Sequence, residues 1–563
     1  MRILSLLVIA LPLMAQNDPA PPDRGPELII VGPVLTLDSA RPRARGLVVR
    51  NGLIAAVTSA DAARAMAGPG TRVIEVPATG AVLPGIVDSH AHLAGVGRAR
   101  RTLDLRGART PEEVAERVRG ALTDLPEGTW VVGRGWNQEL WPNKRLPDRS
   151  VLDAVAKKHP CALERVDGHA QWVNSLALEL AGITADAPSP QGGEIIKDAS
   201  GRPTGVLVDT ATGMVERLLP SEDDPNELER DLLAGQDEAF RLGITTFVDA
   251  GVSPAGLVKL NELYAAGKMR MRVHAMLSVR TEQDLKRVIA GTPIKSLHQD
   301  RVAVRAIKLY ADGALGSRGA WLLEPYADRA EHSGLNVLTP AFIEQVAKAA
   351  LDRGYQVCTH AIGDRGVRET LNAYERAFKA AQPHQVANHR FRIEHAQIVH
   401  PRDIPRFAKL GVFPSMQGCH CTSDGPWVPD RLGQARTRGG AYVWRSFLEA
   451  GCIIPNGTDA PVESLSPWRN LFSSITRFME MDDQRHEAFY PRQRMNRLEA
   501  LLSMTYWGAT GAFCEDRRGR IRPGYQADLV ILNRDPMTCS VWHLGRAAPL
   551  FTIVAGEIVY EKK

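Results

Sequence analysis

Two histidines one residue apart, His90 and His92, close the segment Pro84-Gly85-Ile86-Val87-Asp88-Ser89-His90-Ala91-His92. Neutral imidazoles are good ligands for zinc and similar divalent ions. Side chains two apart on a strand face the same way, so this pair can point into one site. Two neighbouring histidines are also ordinary polar or core residues, and alone they decide little. The pattern gains weight because further candidate ligands each sit at the end of a separate apolar run. Lys308 lies in Ala306-Ile307-Lys308-Leu309-Tyr310, His360 ends Cys358-Thr359-His360, His395 ends Ile393-Glu394-His395, and Asp459 follows Asn456-Gly457-Thr458. Metal ions bring a bound water toward ionisation at neutral pH and polarise a carbonyl.

Those residues need a scaffold that brings strand ends together. Short apolar runs are predicted as strands over 85–90, 244–249, 272–277, 304–310, 356–360, 391–395, 412–416 and 453–458, with helices over 111–122, 227–242, 281–289, 339–353 and 364–378. Eight strands alternating with helical crossovers predict an α/β fold of the (β/α)8 TIM-barrel type, whose catalytic groups come from the ends of several strands. The interval 97–240 after the first strand reads as an insertion covering the barrel mouth. Both chain ends are rich in short β-branched runs, and Asn51-Gly52 between two of them is a hairpin signal. Residues 25–80 and 515–563 are expected to form one small β-sandwich domain flanking a barrel over 81–514.

Hydrophobic residues make up 44% of the 563 and charged residues 24%, which disfavours disordered and coiled-coil readings. The 69 basic and 64 acidic side chains leave no basic block of nucleic-acid-binding length, so no nucleic-acid partner is expected. Seven scattered cysteines do not make a disulfide framework. Residues 1–15 read as a signal peptide: Arg2, an apolar run from Ile3 to Met14, and a small residue, Ala15, before Gln16. An uncleaved anchor is the alternative. No later segment reads as a membrane span, so the mature chain is expected to be exported, periplasmic or secreted.

Finer motifs complete the picture: Gly133-Arg134-Gly135-Trp136-Asn137, Asp167-Gly168-His169-Ala170, Asp312-Gly313-Ala314-Leu315-Gly316-Ser317, Ser415-Met416-Gln417 with His420, Thr458-Asp459-Ala460-Pro461-Val462-Glu463, and Ala527-Asp528-Leu529-Val530. With the candidate ligands they resemble, in order and over nearly the whole mature chain, the amidohydrolase superfamily of metal-dependent hydrolases. The family 3 branch, which includes N-substituted formamide deformylases, matches best. The resemblance implies that His90 and His92 hold one metal ion, that His360 and His395 hold a second, and that Lys308 bridges them after N6-carboxylation. An ammonium has no lone pair to donate, whereas a carbamate offers two anionic oxygens. An ion pair of Lys308 with Asp312 or a substrate carboxylate is the plainer alternative. Asp459 would bind metal and shuttle the proton, on zinc or a similar ion, with a small-molecule substrate. Dimers are common for such barrels, so a homodimer is possible.

Other assignments rest on less. His420 can donate to a developing oxyanion, although Cys419-His420-Cys421 could instead form a separate zinc or redox site. Trp136, Asn137, His169 and Trp172 could shape a substrate pocket or pack within the insertion. Arg318 could meet an anionic substrate group or be structural. His274 and Glu394 are read as structural. Deaminases of the superfamily place a glutamate three residues after the strand-five histidine, where this chain has Gly363, which favours an amide hydrolase over a mononuclear deaminase. A lactone or other ester substrate, and a secreted binding protein on an inactive barrel, are the remaining readings.

Overall fold

The apolar runs between helical stretches are parallel strands in the computed structural model, which describes residues 25–100, 102–123, 125–219, 224–479 and 487–563. The leader read at residues 1–15 lies outside the described residues. The barrel strands are β1 (Ile86–Ala91), β2 (Ile244–Val252), β3 (Arg272–Ser278), β4 (Val302–Tyr310), β5 (Gln356–Ala361), β6 (Arg392–His395), β7 (Phe413–Gln417) and β8 (Asn456–Gly457). Each pairs in parallel with the next in chain order. The ring is drawn shut where the end of β8 meets β1. The Asp459 N–H donates to the His90 carbonyl at 2.6 Å and the His92 N–H to the Ala460 carbonyl at 2.8 Å. Thr458 donates to the buried Asp88 carboxylate from its backbone (2.9 Å) and its hydroxyl (2.6 Å). The expected (β/α)8 architecture is the observed one.

Local chemistry explains the crossovers. Helix Pro340–Arg353 starts with the Thr339 hydroxyl accepting the Phe342 N–H, has proline in its first turn, and ends at Gly354 with φ +77°. Its buried residues Ile343, Val346, Ala347, Ala350 and Leu351 recur at helical spacing and face the barrel. In the barrel itself Val87, Val248, Met276, Ala306 and Cys358 form one buried cluster with Ala509 and Cys514. Two residues beyond Ala306 and Cys358, on the same strand faces, stand Lys308 and His360. Packing at one level of the strands thereby fixes the direction of candidate ligands at the next.

Both chain ends hydrogen-bond into one continuous eight-stranded sheet beside the barrel. Strand Leu529–Leu532 pairs antiparallel with Ala81–Pro84, joining the late segment to the early one. Asn51 and Gly52, at φ +53° and +72°, turn the chain between strands Arg43–Arg50 and Leu53–Thr58, the two positive values that this hairpin type requires. A buried fork fastens this sheet to the barrel: Arg272, at the start of β3, donates to Asp528 at 2.6 and 2.9 Å. The matching of Asp528 within Ala527-Asp528-Leu529-Val530 thus has a structural cause.

The interval after β1 divides in two. Residues 103–209 contain a separate six-stranded sheet, running from Leu103–Asp104 at one edge to Gly193–Lys197 at the other. Helix Pro225–Arg241 instead buries Leu228, Leu232, Ala239 and Phe240 and leads straight into β2, so it is a barrel crossover helix. The insertion docks on the loop after β4 through the ion pair of Glu194 with Arg329, and on the helix Val428–Gly440 after β7 through Glu139 with Arg431. Among the described residues no helix is long and apolar enough to cross a membrane. All seven cysteines are free, and six are buried.

Candidate metal centre

The strand ends converge on one cluster of imidazoles. His90 lies 4.8 Å from His395 between ring centroids, His395 lies 4.6 Å from His360, and His92 is 5.7 Å from His90. Lys308 Nζ is 3.3 Å from His90 Nε2. Asp459 completes the group: its Oδ1 is 3.3 Å from His92 Nε2 and 3.6 Å from His90 Nε2, and its Oδ2 is 3.0 Å from His420 Nε2. Six residues named from the sequence, His90, His92, Lys308, His360, His395 and Asp459, therefore stand in one place, with His420 beside them.

His90, His395 and His360 each have one ring nitrogen held by a neighbour that orients the ring. His90 Nδ1 meets Glu394, His395 Nδ1 meets Gln417 Oε1 at 2.9 Å, and His360 Nε2 faces the Gly313 carbonyl at 3.5 Å. Such partners orient metal-binding histidines and fix their tautomers. Burial, with Lys308 next, pulls the His90 pKa down to about 4, and burial holds His360 and His395 well below the usual imidazole range. Neutral rings with free lone pairs are the form that binds a cation. Burial would raise the Asp459 carboxyl, but the His420 hydrogen bond and the surrounding imidazoles override it and hold it well below its ordinary value. Burial likewise opposes charge on His420, and Asp459 and Glu463 overcome it.

The donor set fits a divalent metal. Asp459 Oδ1 is buried and makes no hydrogen bond of normal geometry, although an unsatisfied buried anionic oxygen is costly. Two triads have ligand atoms close enough to share an ion: His90, His92 and Asp459, and His395, His420 and Asp459. Lys308 is 1% exposed, and among the described residues it has no carboxylate within ion-pair distance, Asp312 included. The Asp312 carboxylate is spent on the N–H groups of Trp321, Ile362 and Gly363.

Several sequence assignments are corrected. Trp136 and Trp172 are fully buried, packed with Trp141 at centroid distances of 6.1 to 6.2 Å inside the insertion, and have no face for a ligand. The Asn137 side-chain oxygen accepts the Glu139 N–H and an Arg165 N–H, so it holds the insertion's own turn. Arg318 donates to Asp328 at 2.8 Å instead of standing open. Of the five proposed pocket residues only His169 reaches the metal-ligand cluster, 5.0 Å from the His360 ring. The Cys419 and Cys421 thiols are buried, and burial pushes each up to about 12, away from the thiolate a zinc or redox site needs. Glu394, read as structural, bridges Arg392 and His90 and so orients a candidate ligand. Gln417, quoted only as part of a motif, and Asp88, quoted only as part of the first strand, carry no role in the sequence reading.

Gly363 carries further information. A Cβ at this position would lie 2.1 Å from the Trp321 carbonyl oxygen. The glutamate expected there for a deaminase has no room at all.

A family model described as the amidohydrolase family matches residues 78–560. The chain belongs to that family. Protein LONG AFTER FAR-RED 3 of Arabidopsis thaliana is 32% identical to this amidohydrolase over 544 residues, covering 95% of this chain and 91% of its own length. N-substituted formamide deformylase of Arthrobacter pascens is 28% identical over 550 residues, with 95% and 98% covered. The crystal structure of an uncharacterized metal-dependent hydrolase from Pyrococcus furiosus superposes with a TM-score of 0.69 at 28% identity, covering 91% of this chain and all of the other. This amidohydrolase is a member of the metal-dependent hydrolases, and its fold and strand-end donors agree with that membership.

Proposed function

We propose that this amidohydrolase cleaves a non-peptide or terminal carbon–nitrogen bond, of amide or formamide type, on two divalent metal ions, most simply zinc. The observation that carries this reading is the unsatisfied Asp459 Oδ1, aimed at the Nε2 atoms of His90 and His92, the first of which has its Nδ1 held by Glu394. His90 and His92 would hold one ion and His360 and His395 the other, with Lys308, carboxylated by carbon dioxide, between them. When bound, such ions polarise a carbonyl and bring water toward ionisation at neutral pH. Asp459 takes the proton of the attacking water and delivers it to the leaving nitrogen, which cannot depart unprotonated. His420, hydrogen-bonded to Asp459 Oδ2, holds that carboxylate in its ionised, proton-accepting form.

The fill at Gly363 supports an amide over an aminated ring as substrate. Metal-replete chain assayed on formamides, N-acyl amino acids, lactones and aminated bases is expected to turn over a member of the first two classes. A chelator should abolish that turnover, and divalent metal should restore it. Activity confined to aminated bases or lactones would replace this reading with the deaminase or esterase one, and inactivity on every class would favour a binding protein.

A further inference from the structure

The imidazole row continues beyond the candidate ligands: from His169 through His360 and His395 to His420, ring centroids follow at 5.0, 4.6 and 6.0 Å. A carboxylate–imidazole pair stands at each end, Asp459 with His420 at one and Asp209 with His169 at the other. Only the first has a role above.

The second pair is held with care. His169 sits on the turn Asp167-Gly168-His169 of the inserted sheet, where Asp167 Oδ1 accepts its N–H at 3.1 Å. Its Nδ1 is 2.7 Å from Asp209 Oδ1, and its carbonyl accepts the Asp209 N–H at 2.9 Å. One residue thereby fixes both the ring and the backbone of His169. Asp209 ends strand Pro203–Asp209 at φ +48°, a conformation a non-glycine residue adopts at some cost. Its carboxylate rests on the barrel loop after β4, where a Cβ at Gly313 or Gly319 would come within 2.3 and 2.2 Å of its oxygens. The glycines of Asp312-Gly313-Ala314-Leu315-Gly316-Ser317-Arg318-Gly319 thus leave a seat for a side chain of the insertion. The His169 side chain stays 21% exposed, and among the described residues its Nε2 has no protein partner.

We propose that His169 contacts the substrate through Nε2, hydrogen-bonding the amide group presented beside His360, and that Asp209 is the positioning residue that aims it. The partner engaged by one ring nitrogen sets where the other points. An amide carries both a carbonyl oxygen and, when secondary, an N–H within one planar group, so it can meet that ring edge. The inference rests on the hydrolase reading above and assigns the insertion a direct part in it.

The test uses the full metal-replete chain and the best carbon–nitrogen substrate found in the panel above. His169→Phe, which keeps a ring and removes the polar edge, is expected to lower kcat/KM about 10²-fold. Metal content should stay as in wild type, and the thermal unfolding temperature should fall only modestly, because the buried Asp209 loses its partner. Asp209→Asn and Gly319→Ala, which turn or displace the carboxylate, are expected to lower it about tenfold. Neither should cost anything more in a His169→Phe background, because positioning a residue that is gone has no value. Wild-type kcat/KM in His169→Phe, or losses from Asp209→Asn that simply add to it, would overturn the assignment while leaving the hydrolase reading intact. A wild-type chain inactive on every carbon–nitrogen substrate would instead remove the reading beneath it, and this inference with it.

Discussion

Replacing Asp459 by Asn should reduce kcat by on the order of 10³-fold while leaving the fold in place. Asparagine has nearly the shape of aspartate, and the backbone contact that closes the barrel, from the Asp459 N–H to the His90 carbonyl, does not involve the side chain. The chemistry does. Asp459 is the carboxylate that faces His90 and His92 through one oxygen and His420 through the other. Its ionised form is favoured by those neighbours despite burial. An amide cannot accept the proton of an attacking water at neutral pH, nor return it to a leaving nitrogen. Steady-state kinetics together with thermal unfolding separate the outcomes. Retained turnover in a folded Asp459→Asn chain would remove the proposed proton shuttle.

The second large effect is expected at Glu394, which no catalytic step uses. It is fully buried between the Arg392 guanidinium, 2.7 Å away, and His90 Nδ1. Burial would raise its pKa, but Arg392 and then His90 override that and hold the carboxyl well below the usual range. Glu394→Gln leaves a buried guanidinium without its counter-charge, a change that costs about 3–5 kcal/mol of stability. It also exchanges the charged acceptor that orients the His90 ring for a neutral, weaker one, and weakening such a partner costs about 10- to 100-fold in metal binding. Denaturant unfolding and metal titration of the same variant should therefore both shift. A variant with weakened metal binding but unchanged stability would mean that Arg392 finds another partner, and unchanged metal binding would remove the orienting role.

The contrast between Asp459 and Glu394 shows what the sequence makes legible. The barrel strands could be read because apolar runs of strand length alternate with capped amphipathic helices, and the ligand candidates could be read because each ends one of those runs. Glu394 escaped because its partner His90 lies 304 residues away and no local pattern links them. Strict strand alternation also sends neighbours to opposite faces. The backbone breaks that rule: His395 has φ +72° and Ala396 φ +42°, so the strand turns at its end and both side chains meet the site. The tryptophans of the insertion failed for the opposite reason. Trp136 and Trp172 have the composition of a binding pocket and the composition of a core, and only packing against Trp141 distinguishes the two. Asp209, with its seat on Gly313 and Gly319, needs the relative placement of two sheets, which no spacing within either reveals.

The central claim is that donors from the ends of β1, β4, β5, β6 and β8 close into one metal-binding cage. Metal content per chain tests it most directly, measured on wild type and on a variant with His90 and His92 both replaced by Asn, after loading with zinc and removal of free ion. Two ions per wild-type chain, falling in the variant together with hydrolysis, is the predicted result. A wild-type chain that binds no zinc, or a variant that keeps both the full metal content and the activity, would contradict the account.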